Sequence, residues 1–256
     1  MNILVIGDVV GSRGCEFLRN KLPALRQLKG IDLVIANGEN SADGNGITPK
    51  SAGFLLDSGV DVITTGNHTF RRREVYDFLE TSENIIRPAN YPDSAPGKGI
   101  CIVDMGRIKV AVLNLMGITY LENLYCPFDT LDKLLNTAGL PKIRILDFHA
   151  EATGEKRALG YYADGKITAL VGTHTHVPTA DESLLPLGTG YISDAGMTGP
   201  IESALGVRPD LVIKKFREKL PVRFENAAGV CKMDCVLISA DETSGLCTKM
   251  ERISVR

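Results

Sequence analysis

Tryptophan, Cys-x-x-Cys pairs and long apolar runs are all absent from this chain of 256 residues. Its six cysteines are irregularly spaced, and a chain of this size does not need disulfides to fold, so we expect reduced and mostly buried thiols. No apolar run approaches the ~20 residues that a membrane-spanning helix requires. The first residues, "MNILVIGDVVG", lack the basic head and the small-residue cleavage site of a signal peptide. These absences predict a cytoplasmic protein without a membrane partner.

An excess of charge of either sign is also missing. The 29 Lys and Arg residues nearly balance the 31 Asp and Glu residues, for a formal net charge of -2. A protein whose main partner is a nucleic-acid backbone or an anionic membrane usually carries a basic excess, so the composition argues against that class while leaving room for local basic patches. With 44% hydrophobic residues and no linker-like segment, the sequence predicts one globular domain spanning residues 1–256.

Strand and helix patterns alternate through the first two thirds of the chain. The apolar run "NILVIGD" precedes the helical pattern "RGCEFLRNKLPALRQLK", for which Ser12 is the predicted N-cap. Further predicted strands are "IDLVIANG", "VDVITTGN", "RIKVAVLNL", "KIRILDFH" and "ITALVGTH". Later the pattern changes to a helix opened by Pro209 and to two strands of antiparallel type, "CKMDCVLISAD" and "CTKMERISVR". The predicted fold class is α/β with mixed sheets.

Histidine is scarce, with four in the chain, and each one stands where a predicted strand ends. Carboxylates and amides occupy the same kind of position, and the complete set is Asp8, Glu39, Asn40, Asn67, His68, His149, His174 and His176. Loops at the carboxyl ends of strands in an open α/β sheet converge on one crevice, so these side chains are predicted to meet. Imidazole, carboxylate and amide oxygen suit iron, manganese or zinc, and the set therefore predicts a metal site.

The motif "GTHTHV" places His174 and His176 one residue apart. On an extended segment two such residues face the same side, so both are predicted to approach one site together. Thr175 between them is a candidate for a contact to substrate or for support of a ligand.

A dinucleotide-binding loop is the rival interpretation of the first strand end, because "GDVVGSRG" has glycines at 7, 11 and 14. That loop requires a glycine two positions after the first, where this chain has Val9. An acid directly after the first glycine, Asp8, would also point a negative charge toward a pyrophosphate. The sequence has no P-loop lysine motif either, so both nucleotide-binding loops are disfavoured.

The ordered set "GD", "GEN", "GNHT", "FHAEAT" and "GTHTHV" resembles the calcineurin-like metallophosphoesterases. Over essentially its whole length the chain is similar to the YmdB-like branch, with the pattern "IGDVVGS…NGEN…TGNHT…RPANYP…PGKG…DFHAEAT…ALGYYADG…VGTHTHVPTAD…GMTGP". The resemblance implies two packed mixed β-sheets flanked by helices, a four-layer sandwich with a site for two metals at one end. Three positions depart from the wider superfamily: Val10 replaces a ligand histidine, Glu39 a bridging aspartate, and Thr69 an acid.

The resemblance also implies a role for each site residue. Glu39 bridges two divalent or trivalent transition-metal ions, which are iron, manganese or zinc. Asp8, Asn40 and His176 complete one ion, with Asn40 as the substitute for the ligand missing at Val10. Asn67, His149 and His174 complete the other ion. The implied nucleophile is a hydroxide between the ions, and His68, left over from the ligand set, is the candidate general acid.

Other residues near these motifs have two interpretations. The run "RRR" at 71–73 contains Arg72, which is either a solvated cation or a contact to a substrate phosphate. Glu151 in "HAEAT" is a candidate partner that orients a ligand histidine, and Asp194 in "SDAGMTGP" is a further candidate.

The predicted function is that of a dinuclear metal-dependent phosphodiesterase. Two dications, two carboxylates and a hydroxide leave about one positive charge, which a phosphodiester monoanion neutralises. The resemblance points to 2',3'-cyclic nucleotides, hydrolysed to 3'-nucleotides, with RNA ends as a further substrate class and a homo-oligomer as a further expectation. The alternatives are a phosphomonoesterase on the same metals and a regulatory protein that binds nucleotide without turnover. The intact "GNHT" motif favours an enzyme over the regulatory protein.

Overall fold

The computed structural model describes residues 1–256, which form thirteen strands and six α-helices. The strands are β1 (Asn2–Ile6), β2 (Asp8–Val9), β3 (Leu33–Asn37), β4 (Val62–Thr64), β5 (Ile100–Asp104), β6 (Lys109–Met116), β7 (Ile143–His149), β8 (Ala169–Thr173), β9 (Ser183–Leu184), β10 (Gly190–Ile192), β11 (Met197–Pro200), β12 (Cys231–Ala240) and β13 (Cys247–Val255). The helices are α1 (Gly11–Lys29), α2 (Pro49–Asp57), α3 (Tyr76–Thr81), α4 (Pro127–Leu135), α5 (Thr153–Tyr162) and α6 (Pro209–Glu218). Two short 3₁₀ turns, Thr69–Arg71 and Arg73–Val75, precede α3.

The strands form two mixed sheets, as predicted. The first sheet has the order β2-β11-β12-β1-β3-β4, and β13 also pairs with β12. In it β1, β3 and β4 run parallel, while β12 runs antiparallel to β1. The second sheet has the order β5-β6-β7-β8-β10-β9, with four parallel strands in the middle and antiparallel strands at both edges.

Strand periodicity explains why the two sheets pack face to face. In β1, Ile3 and Val5 point into the core between the sheets, and Leu4 and Ile6 point toward α1 and α2. The second sheet does the same, because Ile145 of β7 points into the intersheet core and Phe148 points toward α4 and α5. The predicted four-layer sandwich, with helices outside both sheets, is therefore confirmed.

The start of α1 differs from the prediction. The helix begins at Gly11, one residue before Ser12, and Val10 occupies the N-cap position without a side-chain hydrogen bond. The N–H of Ser12 instead donates to Asp43 Oδ1 at 2.9 Å, and the N–H of Gly11 donates to the Asn40 carbonyl oxygen at 2.9 Å. A carboxylate and a carbonyl from another loop thus satisfy the helix end, which a local capping rule does not detect.

The topology brings the carboxyl ends of β1, β3 and β4 in one sheet to the same end of the sandwich as those of β7 and β8 in the other. The clearest evidence is the contact between Glu39, after β3, and His149, the last residue of β7, whose Oε2 and Nε2 atoms lie 3.3 Å apart. Among the six helices, none has both the length and the apolar character that crossing a bilayer demands.

Candidate metal centre and active site

The side chains predicted from the strand ends meet in one cluster. All eight lie within hydrogen-bond or ion-pair distance of another member, and Asp8, Glu39 and His149 have no solvent exposure at all. Convergence of strand ends from both sheets is what assembles them, since the residues come from five separate segments of the chain.

Glu39 lies at the centre of the cluster. Its Oε1 atom is 2.8 Å from His68 Nδ1 and accepts a 2.9 Å hydrogen bond from Asn40 Nδ2. Its Oε2 atom is 3.3 Å from His149 Nε2 and accepts the backbone N–H of His68 at 2.9 Å. Burial alone would raise the pKa of this carboxyl, but the neighbouring His149 and His68 lower it below its usual range. The two oxygens therefore face different partners, as a bridging carboxylate requires.

One half of the cluster contains Asp8, Asn40 and His176. His176 Nε2 lies 3.4 Å from Asp8 Oδ1 and 3.3 Å from Asn40 Nδ2. The other nitrogen of the ring, Nδ1, donates to the Leu205 carbonyl oxygen at 3.1 Å, so Nε2 is the atom that faces the cluster. Burial opposes a charged imidazole here, yet the Asp8 carboxylate raises the pKa of His176 to about 9.

The other half contains Asn67, His149 and His174. His149 Nε2 is 2.9 Å from Asn67 Oδ1 and 3.1 Å from His174 Nδ1. Ligand atoms of Glu39, His149 and His174 all lie within 4.8 Å of one another, a spacing that suits coordination of a single ion. Burial lowers the pKa of His149 to about 4, which keeps the ring neutral and its lone pair available.

One unsatisfied atom and the chemistry of the donor set show that the cluster fits metal ions. Asp8 Oδ1 is fully buried and accepts no hydrogen bond, although His176 Nε2 lies 3.4 Å away. A buried carboxylate oxygen without a donor is costly, and a cation bound in the cluster would remove that cost. Oxygen and imidazole nitrogen atoms without any thiolate are the ligands that iron, manganese and zinc accept.

The "GTHTHV" segment reaches the cluster by a conformation that differs from the prediction. His174 and His176 are not on an extended segment, because β8 ends at Thr173 and both histidines have positive φ angles, 102° and 64°. Such conformations cost about 1–3 kcal/mol each for residues other than glycine, and they occur mainly where function requires them. The bend brings both imidazoles to one site, where the Asp8 Oδ2 atom accepts the His174 N–H at 3.0 Å.

A buried ion pair that the sequence did not reveal supports this bend. Lys156 Nζ donates to Asp194 Oδ2 at 2.9 Å and to the Thr173 carbonyl oxygen at 2.8 Å. The same Asp194 oxygen accepts the backbone N–H of Thr175 at 3.0 Å and its hydroxyl at 2.8 Å. The side chain and the backbone of Thr175 are thus both held by Asp194. Lys156 is only 1% exposed, and no pattern separates it from the solvated lysines usual in a helix.

A second polar network that the sequence analysis missed lies behind His149. Asp147 is buried, accepts hydrogen bonds from the hydroxyls of Thr64 and Thr173, and has its pKa raised to about 7 by burial. Because the Thr173 hydroxyl donates to Asp147, it acts as an acceptor toward His149 Nδ1, which lies 2.9 Å away. We therefore assign the ring proton to Nδ1 and the lone pair to Nε2, the atom facing the cluster. The signal in the sequence was an acid inside the apolar strand "IRILDFH".

His68 differs from the other histidines in its exposure. Its side chain is 20% exposed and lines a cleft, whereas its Nδ1 atom contacts Glu39 and lies 3.0 Å from Asn40 Oδ1. The ring is thus fixed at one nitrogen and open to the cleft.

Two further predicted residues lie at the rim of the cluster. Glu151 Oε2 is 3.0 Å from His174 Nε2, as expected of a partner that orients a ligand histidine. Arg72 donates from Nη2 to the Asp43 carbonyl oxygen at 2.8 Å and from Nε to the Asn45 carbonyl oxygen at 3.0 Å. Arg72 is therefore not a freely solvated cation, since it lies between two 3₁₀ turns and binds carbonyl oxygens of the neighbouring loop.

The positions that depart from the superfamily pattern have structural roles. Val10 is 5% exposed and packs closely against Gly206. The Thr69 hydroxyl donates to the Gly66 carbonyl oxygen at 2.6 Å and closes the loop that carries Asn67 and His68.

The cluster opens into a cleft of about 1540 Å³. Glu39, Asn40, His68 and the 174–176 segment form its inner wall, and residues 204–226 form the opposite wall. Access to the cluster from this side makes catalysis on a bound ligand feasible.

Comparison with known proteins gives consistent matches. The family model described as YmdB-like protein matches residues 4–253. A 2',3'-cyclic-nucleotide 2'-phosphodiesterase of Bacillus subtilis (strain 168) is 47% identical, over 100% of this chain and 97% of the relative. A hypothetical protein from Thermus thermophilus has a crystal structure that superposes with a TM-score of 0.94 at 38% identity, covering 99% of this chain and 98% of that one. A structure described as a novel phosphatase from Mycoplasma pneumoniae also has a TM-score of 0.94, at 33% identity, covering 100% and 93%.

Proposed function

This chain belongs to the YmdB-like protein family, and we propose that it hydrolyses 2',3'-cyclic nucleotides to 3'-nucleotides. The observation that carries the proposal is the Glu39-centred cluster, in which all four histidines and two buried carboxylates meet at the end of a cleft. Glu39, His68, His174 and His176 line that cleft, and Asp8 and His149 lie buried behind them. The name of the Bacillus subtilis relative supports the choice of substrate and of the 2' bond. The chain acts in this proposal as a single cytoplasmic domain over residues 1–256.

Two transition-metal ions occupy the cluster in the proposed active form. Asp8, Asn40 and His176 would hold one ion, Asn67, His149 and His174 would hold the other, and Glu39 would contribute to both, because these side chains already lie in contact with one another. Iron, manganese and zinc all suit this ligand set. When bound, the ions supply Lewis acidity toward the phosphoryl oxygens and lower the pKa of a water molecule between them.

The other steps of the proposed reaction depend on protein residues. Glu39 and Asn40 hold the Nδ1 side of His68, so the opposite side of the ring is left to protonate the departing ribose oxygen as general acid. Glu151 orients His174, and Asp147 acts through Thr173 on His149. The oxygen nearest His68 leaves, and we propose that this is O2', which gives the 3'-monophosphate.

A phosphomonoesterase activity on the same metals is the second candidate, favoured by the Mycoplasma pneumoniae structure described as a phosphatase. Comparison of p-nitrophenyl phosphate with its bis ester separates the two activities, because only a diesterase prefers the bis ester.

The deciding experiment is chromatography of the products formed from 2',3'-cyclic AMP in the presence of manganese. We expect 3'-AMP as the main product. Predominant 2'-AMP would contradict the orientation toward His68. No turnover of this substrate, together with cleavage of p-nitrophenyl phosphate, would replace the proposal by the monoesterase.

A further inference from the structure

The wall of the cleft that faces the cluster is formed by residues 204–227, here called the α6 lobe, which consists of α6 and the segments on either side of it. Its two ends are tied together by the pairing of Val207 with Asn226 and by a 2.9 Å hydrogen bond from the Ala227 N–H to the Gly206 carbonyl oxygen. The helix itself has no buried residue. The two ends of the lobe are therefore fixed to each other, and α6 between them has no residue buried in the core.

The lobe is directly connected to the proposed metal ligands. His176 donates to the Leu205 carbonyl oxygen at 3.1 Å, and Asn226 Nδ2 donates to Asp43 Oδ1 at 3.3 Å. A ligand bound to the lobe would therefore also be close to the cluster. The cleft between the two walls measures about 1540 Å³, whereas small-molecule sites span about 300–1000 Å³. A mononucleotide would leave a large part of it unfilled.

The cleft carries cations that have no carboxylate partner. Arg13, Arg71, Lys215 and Arg223 line it, and none of them takes part in any salt bridge or side-chain hydrogen bond of the structure. Four unpaired cations in one cleft of a protein with a net charge of -2 form a local basic patch.

Each of the four acids of the same cleft, in contrast, has a partner within the structure, and Asp43 alone has only neutral donors. Glu225 binds Arg208 at 2.8 Å, Glu151 binds His174, and Glu39 belongs to the cluster. Asp43 accepts hydrogen bonds from Ser12 and Asn226. The positive charge that remains is thus available to an anionic ligand.

Aromatic rings accompany the cations on the lobe. Phe216 is 67% exposed and lines the cleft, and Phe224 lines the same wall. Lys215 Nζ lies 4.8 Å from the centre of the Phe224 ring. Cationic side chains interleaved with exposed aromatic rings are the arrangement by which proteins bind single-stranded nucleic acid, with phosphates on the cations and bases stacked on the rings.

We propose that the α6 lobe binds the nucleotides that precede a 2',3'-cyclic phosphate at the 3' end of an RNA strand, an inference that rests on the proposed function. A terminal cyclic phosphate engages O2' and O3', so the strand can continue only from the 5' oxygen of the same ribose. With the cyclic phosphate at the cluster, the preceding phosphates reach Lys215 and Arg223, and the bases reach Phe216 and Phe224. Stacking on a phenyl ring accepts every base, so the lobe recognises RNA ends without sequence preference.

The test compares 2',3'-cyclic AMP with a triadenylate that ends in a 2',3'-cyclic phosphate, both at low salt with manganese. We expect the native protein to have a KM about tenfold or more lower for the triadenylate, because stacking and phosphate contacts add to binding. In Lys215→Ala/Arg223→Ala the ratio of the two KM values should fall toward one. Lys214→Ala, which removes a neighbouring cation of α6 that does not line the cleft, is the matched control and should retain the native ratio.

A binding measurement separates failure of the lobe from failure of the reaction. Fluorescence anisotropy with a labelled triadenylate 3'-phosphate needs no turnover, and the double variant should bind it about tenfold more weakly than Lys214→Ala. Absence of turnover on both substrates, with this binding difference intact, would refute the proposed function alone. Equal KM values in the native protein, equal anisotropy for the double variant and the control, or equally good competition by an oligoglutamate peptide would overturn the assignment of the lobe to RNA.

Discussion

The two walls of the cleft differ in how firmly the fold holds their side chains. On the cluster side, Asp8, Glu39 and His149 are fully buried, and networks through Asp147 and Asp194 fix the histidines from behind. On the opposite side, α6 has no buried residue and its cations are unpaired. The contrast agrees with the two proposed roles, because chemistry requires fixed geometry, whereas adaptable side chains better accommodate a strand of variable sequence.

The largest expected effect lies at the centre of the rigid wall. Glu39→Gln keeps the size of the side chain but removes the charge that the two proposed metal ions would share, so the binding of both ions should be weakened together. We expect about two transition-metal ions per chain in the native protein, far fewer in the variant, and activity reduced to background. Elemental analysis beside the cyclic AMP assay provides the measurement. A well-folded, active native protein free of transition metal would refute the two-metal assignment.

His68→Ala tests whether His68, which is partly exposed to the cleft, acts in catalysis rather than in metal binding. The variant should retain both ions while losing on the order of 10² to 10⁴ in kcat, the usual contribution of a general acid. Metal content and rate are to be measured on the same preparation. Native activity would return His68 to a structural role, and loss of metal would make it a ligand.

Lys156→Met removes one member of a buried ion pair and leaves the Asp194 carboxylate without its cation. We expect a loss of about 3–5 kcal/mol in the free energy of unfolding, because an uncompensated buried charge is that costly. Urea unfolding measures the loss. Lys156→Met/Asp194→Asn should recover part of the stability, whereas Lys214→Met on α6 should not alter it. Equal stability of Lys156→Met and the native protein would show that the pair does not support the bend at Thr175.

Glu151→Gln tests the contact between Glu151 and His174 on the cluster side of the cleft, where the native carboxylate is 49% exposed. A weaker hold on His174 should lower metal affinity or activity about 10- to 100-fold, as is typical for partners of ligand histidines. Metal titration followed by the cyclic AMP assay distinguishes the two effects. An unchanged metal affinity and an unchanged rate would leave Glu151 without a role.

The smallest effect on stability is expected for a substitution in the α6 lobe. Phe216→Ala should change the free energy of unfolding by no more than about 0.5 kcal/mol, because the ring is already exposed. Phe148→Ala, which truncates a fully buried ring near the end of β7, should cost about 3–5 kcal/mol. Similar losses in the two variants would show that the α6 lobe is part of the core, contrary to the contrast between the walls.

Most of the fold and of the candidate site could be predicted from the sequence, because both depend on short-range patterns. Short apolar, β-branched runs such as "NILVI" and "KIRILDFH" indicate strands, and the position of a polar residue directly after a strand places it at the sheet edge. The start of α1 could not be predicted in this way, since Asp43, which binds the Ser12 N–H, is 31 residues away.

The sequence by itself determined which residues meet at the cluster: Asp8, Glu39 and the four histidines each follow or end a strand, and parallel strands carry such residues to a common edge. Only the tertiary structure decided how they are held. The left-handed bends at His174 and His176, the burial of Lys156 and the position of the α6 lobe all depend on contacts between distant segments. Such contacts arise when packing brings those segments together, and no local periodicity encodes them.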